Sequence, residues 1–155
     1  VVFKIKGVKM DDLTREEKQL EILMKIWAFL FGAGGLLFFI APDWLFRRMN
    51  GFASSIFGNA FSQIPEPTER FWLSLALSLM VTLTFLSYMA QRDIRKGMGY
   101  VVAVMVSKIA STTFFLFYFF KDLDTFAYIQ GSLLTDGPIF VITFIFYLRA
   151  LGSRT

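Results

Sequence analysis

MGYVVAVMVSKIASTTFFLFYFF, residues 98–120, is an apolar run of helical length with a single charge, Lys108, close to its middle. A helix crosses a bilayer core about 30 Å thick with roughly 20 apolar residues, so this run reads as a transmembrane span. Downstream, FAYIQGSLLTDGPIFVITFIFYL, residues 126–148, repeats the arrangement with Asp136 near its centre. Two further runs, 22–41 and 71–90, complete a set of four. None shows the alternating polarity of a transmembrane barrel strand. The sequence therefore predicts an all-α integral membrane protein, a four-transmembrane-helix bundle forming one domain over residues 1–155. Its helices are expected at about 14–41, 71–92, 98–120 and 126–150.

Of the 155 residues, 55% are hydrophobic and 18% aromatic. Charged residues make up another 18%, yet the four runs contain only Lys25, Lys108 and Asp136. Such segregation of charge excludes an ordinary soluble domain. The chain has no Cys and no His, which removes disulfides, structural zinc, iron–sulfur clusters, thiol catalysis and His-ligated haem. No paired-carboxylate or Ser-based catalytic arrangement is legible, so no catalytic residue, metal or cofactor is assigned. The net charge of +4 reads as membrane topology and anionic-lipid contact. No basic face or groove of the kind nucleic acid requires is visible, and no nucleic-acid partner is expected.

Orientation follows from Lys and Arg near the span ends. Lys4, Lys6, Lys9, Arg15, Lys18, Lys25, Arg92, Arg95, Lys96, Arg149 and Arg154 lie on one side, against Arg47, Arg48, Arg70 and Lys121 on the other. Both termini are therefore expected in the cytoplasm, with the protein in a bacterial inner membrane. The first run is preceded by acidic residues and lacks a small-residue cleavage pattern, so it is expected to be retained. Residues 1–9 are expected either to come from a misplaced gene start or to form a short basic arm on the headgroups: Lys6-Gly7-Val8-Lys9 can be encoded by AAA GGA GTG AAA, a purine-rich ribosome-binding sequence, and Met10 would then be the start. The intact mass of the native protein decides this; a chain beginning at Val1 rules out the misplaced start.

Thr14-Arg15-Glu16-Glu17 fits a capping box, and Glu21 and Lys25 stand at i and i+4 in the favourable order. Within the first span, Gly32, Gly34 and Gly35 remove side-chain bulk and are expected to admit a neighbouring backbone. Between the first and second spans, residues 43–62 place Trp44, Leu45, Phe46, Met49, Phe52, Ala53, Ile56 and Phe57 at helical spacing opposite a polar face. This predicts an extracytoplasmic interfacial amphipathic helix with Asp43 as its cap. Pro65 and Pro67 then break the chain, and Thr68 is placed to cap the second span.

The two mid-span charges carry the sharpest expectation. Lys108 and Asp136 lie on consecutive antiparallel helices at depths matching to within about two residues, each rising about 1.5 Å. A lone charge at mid-membrane costs at least about 2.5–3.5 kcal/mol, so an ion pair is expected. Gly137-Pro138 breaks the helix beside it, and Pro138, lacking an N–H, frees the Leu134 carbonyl as a further acceptor for Lys108. Ser74, Ser78 and Thr82 form one hydroxyl stripe, and Gly99, Ala103, Ser107 and Ser111 a second small-residue stripe. With Ser132 and Thr135 they predict a polar seam around the pair, facing the glycines of the first span.

Two functional readings remain open. The pair and hydroxyls can fix helix register in a non-catalytic accessory or scaffold protein that packs with itself or in a larger membrane complex. Alternatively they serve a small proton-coupled or polar-solute carrier. The layout of four helices in 155 residues with cytoplasmic ends resembles small bacterial membrane families such as the DoxX-like proteins. The resemblance lies in layout and carries no residue roles.

Overall fold

The computed structural model describes residues 13–58, 60–65, 71–121 and 125–154. Residues 1–9 and Met10, and likewise Pro67, Thr68 and Arg70, lie outside the described residues, and the expectations resting on them stay there. The described chain is helical, with four helices long and apolar enough to cross a membrane and no strand among the described residues.

Helix α1 runs Arg15–Ile40. Thr14 caps it through the reciprocal capping box, its hydroxyl accepting from the Glu17 N–H and the Glu17 carboxylate accepting from the Thr14 N–H. Glu21 pairs with Lys25 at 2.6 Å one turn on. Leu20, Leu23, Met24, Trp27 and Phe31 recur at helical spacing and form the inward face of α1.

Helix α2, Pro42–Phe57, begins with its proline at the first helical position, where a missing N–H costs nothing. Ala41 rather than Asp43 occupies the cap, and Asp43 sits within the first turn. The helix stops short of the expected residue 62 because Gly58 takes φ 62°, a left-handed conformation that suits glycine and ends the helical path. Beyond it, Asn50 clasps the returning chain, donating from Nδ2 to the Ile64 carbonyl at 2.9 Å and accepting from the Ile64 N–H at 2.7 Å. The Phe126 N–H donates to the Ser62 carbonyl at 3.4 Å. Around that joint Phe52, Phe57 and Phe61 surround the buried ring of Phe126, with centroids 5.8 to 6.3 Å away.

Helix α3 runs Phe71–Arg92 and α4 runs Met98–Phe119. The last span is not a uniform α-helix: α5 covers Phe126–Ile129, a π-helical stretch covers Gln130–Asp136, and α6 covers Gly137–Gly152. The widened turn lies immediately ahead of Pro138, which has no N–H with which to continue a regular ladder. In it the Gly137 N–H donates to the Ser132 carbonyl, five residues back.

Helices α1, α3, α4 and α6 contact in a closed ring, α1 to α3, α3 to α4, α4 to α6 and α6 to α1. The most extensive contact is α1 on α3. Gly35 is the glycine this contact leans on, since a Cβ there would meet Met80 Cβ at 3.1 Å; a Cβ at Gly32 would meet the Thr84 methyl at 3.5 Å and one at Gly34 the Met80 methyl at 3.9 Å, both ordinary contacts. These glycines face α3, and Phe31 is the α1 residue turned toward Lys108.

Candidate functional site

Lys108 on α4 is 5% exposed although it carries a charged side chain, so its surroundings decide whether it is tolerated. Its ammonium donates to Asp136 Oδ1 at 2.8 Å. It also lies over the Phe31 ring, 4.7 Å from the centroid, a cation–π contact in a dry setting. Ser111, one turn along α4, donates to the other carboxylate oxygen, Asp136 Oδ2. Asp136 is thus held on both oxygens from α4. The Leu134 carbonyl, expected as a further acceptor for Lys108, is not among its partners. The π turn has redirected the backbone ahead of Pro138, and the Phe31 ring stands against the ammonium instead.

The remaining hydroxyls do not assemble as the seam required. Ser78 and Thr82 are exposed on α3 and donate within their own helix, to the carbonyls of Leu75 and Ser78. Thr135 is likewise exposed and returns its proton to Gln130 and Gly131. Ser132 is fully buried but donates to Tyr128 and Ile129 in its own helix. Ser107 is half-buried and makes no bond to the pair. Ser78, Thr82, Ser132 and Thr135 share one physical reason: a helical Ser or Thr can satisfy its hydroxyl on a carbonyl about one turn back, so it needs no inward partner. Ser111 alone of the six reaches the pair.

A buried polar contact on α1 extends the interior arrangement. The Trp27 indole N–H donates to Thr143 Oγ1 at 2.9 Å, joining α1 to α6, and the Trp27 ring stacks on Phe31 at 6.4 Å. Phe31 therefore stands between Trp27 and the Lys108 ammonium. The site consists of an ion pair, one hydroxyl donating to its carboxylate and an aromatic wall.

A second charged cluster escaped the reading of the sequence. Glu17, outside the apolar stretch 22–41, has no exposed surface and binds three elements. Arg95, in the turn between α3 and α4, donates from Nε at 2.9 and 3.1 Å and from a terminal nitrogen at 2.9 Å. Arg154, beyond α6, donates to Oε1 at 2.9 Å. Thr14 and Ser153 close the cluster through hydroxyls 2.8 Å apart. Hydrogen bonding from Arg95 outweighs burial and, with the Thr14 N–H and Arg154, lowers the Glu17 carboxyl from 4.5 to about 2. The available signal was phase: Glu17 lies on the same helical stripe as Leu20, Met24, Trp27 and Phe31, and so faces inward.

No family model, no curated protein and no solved structure matches this chain, so neither cluster inherits a role from a relative.

Proposed function

We propose that this is a small non-catalytic integral membrane protein that packs within a membrane assembly, as a homo-oligomer or as an accessory or scaffold subunit of a larger complex. The supporting observation is its outward apolar surface. Between 11 and 28% of each apolar span is buried within the chain, and large side chains such as Phe29, Phe39, Trp72, Phe85 and Phe114 stand exposed. Lipid tails and neighbouring helices are the media that cover such a surface. In this reading the protein lies in a bacterial inner membrane with both termini cytoplasmic. Helix α2 then lies at the outer interface, where the Arg48 guanidinium over Trp44, 5.5 Å from its centroid, suits headgroup depth.

Native mass spectrometry after extraction into native lipid particles tests the proposal. A stoichiometric foreign chain, or a defined homo-oligomer, is the expected result. A lone monomer across the accessible concentration range overturns it. The buried Lys108–Asp136 pair supports a second reading, a proton-coupled or polar-solute carrier, because ionisable groups at mid-span are costly and commonly functional. Loss of uptake or of its pH dependence in Asp136→Asn, at unchanged abundance, would put the carrier in place of the packing protein.

A further inference from the structure

Phe31 belongs to two features at once. Its ring lies over the Lys108 ammonium, and it also lines a lateral groove of about 530 Å³ between α1 and α3. The other walls include Gly32, Gly35 and Phe39 on α1 and Ser74, Val81 and Thr84 on α3, with Ser78 beside them. From Phe31 at the middle of α1 to Phe39 near its end the groove is roughly 12 Å long, at about 1.5 Å per residue. That is close to one leaflet's share of a hydrocarbon core about 30 Å thick.

The walls are dry. Ser78 donates to the Leu75 carbonyl and Thr84 to the Met80 carbonyl, so these hydroxyls are turned back onto their own helix. Behind Phe31, however, stands a donor in excess. An ammonium has three N–H groups; that of Lys108 has one carboxylate oxygen and the face of a ring, which is a weaker acceptor than oxygen.

We propose that this groove binds an uncharged long-chain lipophile bearing a carbonyl oxygen, its tail along α1 and α3 and its oxygen accepting from Lys108 once the Phe31 side chain turns aside. Charge selects the class. Lys108 and Asp136 already sum to zero, so an anionic head would leave a net negative charge in a low-dielectric interior. A cationic head would meet the ammonium first. A plain hydrocarbon fits the walls and gains nothing from the donor, whereas a carbonyl satisfies an N–H without adding charge. The inference stands independently of the packing role.

The test is photolabelling of the full chain in native lipid particles with a diazirine-tagged long-chain methyl ester, competed by the untagged ester or by an alkane of equal length. Crosslinks are expected between residues 31 and 39 and between 74 and 84, displaced about tenfold more effectively by ester than by alkane. Val81 is 68% exposed and lines the groove; Val81→Trp is expected to abolish labelling with the melting temperature unchanged. Lys108→Met combined with Asp136→Leu is expected to weaken ester competition about tenfold, the loss of one hydrogen bond from a charged donor. Equal competition by ester and alkane would show a crease filled by bulk lipid and overturn the proposal, as would crosslinks scattered over the whole bundle. Crosslinks in the groove to a second copy of the chain would assign it to self-association and overturn it equally. Because competition on the unaltered protein suffices, a double variant that misfolds does not protect the idea.

Discussion

Glu17 holds Arg95, Arg154 and the Thr14 N–H with a carboxylate that sees no solvent. Its folded value of about 2 lies below its ordinary 4.5. A depressed carboxyl contributes stability that is complete above the unfolded value and is lost as pH falls through the folded one. The thermal midpoint in lipid particles should therefore drop between pH 4.5 and about 2, and Glu17→Gln should flatten that limb. At neutral pH the same variant should cost about 2 kcal/mol. That is less than the roughly 3–5 kcal/mol of breaking a sealed pair, because both arginines keep contact with water. Lys108 and Asp136 have no such relief. Lys108→Met alone should cost about 3–5 kcal/mol by stranding Asp136, while Lys108→Met with Asp136→Leu should return to within about 1 kcal/mol of the parent in thermal melts. A double variant as unstable as the single one would contradict this account of the pair. The ion pair was legible because two mid-span charges at one depth have few alternatives. The Glu17 cluster was not, since its partners lie 78 and 137 residues away and an acid in a capping box reads as solvated.

Among the elements, the π stretch depends on two glycines, Gly131 within it and Gly137 directly after it. A Cβ at Gly137 would collide with the Ser132 carbonyl oxygen, which is backbone and part of the turn itself. A Cβ at Gly131 would come within 2.5 Å of the Phe115 ring, which is side chain rather than backbone. Gly137→Ala should therefore destabilise by about 2–3 kcal/mol and Gly131→Ala by about 1 kcal/mol, read from thermal melts. The reverse order would mean that the ring, not the turn, is the tighter constraint. The break at Gly137-Pro138 was visible in the sequence, but its form was not, because a proline states only that one N–H is missing. The hydroxyl stripes misled for a related reason. A helix offers each Ser or Thr a carbonyl of its own, so their spacing on α3 does not reveal which face turns inward. Of the glycines of α1, Gly35 is the one at which an added Cβ would crowd α3, at 3.1 Å from Met80 Cβ.

For the molecule as a whole, the four apolar runs correspond to the four helices long and apolar enough to cross a membrane, because length and hydropathy decide which segments can do so. Orientation rests on the distribution of Lys and Arg, and a chain without cysteine makes it simple to check. Lys96→Cys should react with an impermeant maleimide only from the cytoplasmic side, and Ser55→Cys only from the outside; the opposite pattern would invert the proposed topology. Fastening is unequal at the two ends of the ring. At one end the Glu17 cluster ties α1, the α3–α4 turn and the segment after α6 together. At the other, Asn50 and Phe126 tie α2 and its return segment to α5, and α3 takes no part in that joint among the described residues. The buried residues of α3, Leu83, Ser87 and Ala90, all fall in its second half. Helix α3 is therefore buried more deeply toward its Arg92 end than toward Phe71. In hydrogen exchange its amides should lose protection from the Phe71 end inward, along the stretch that lines the groove against α1.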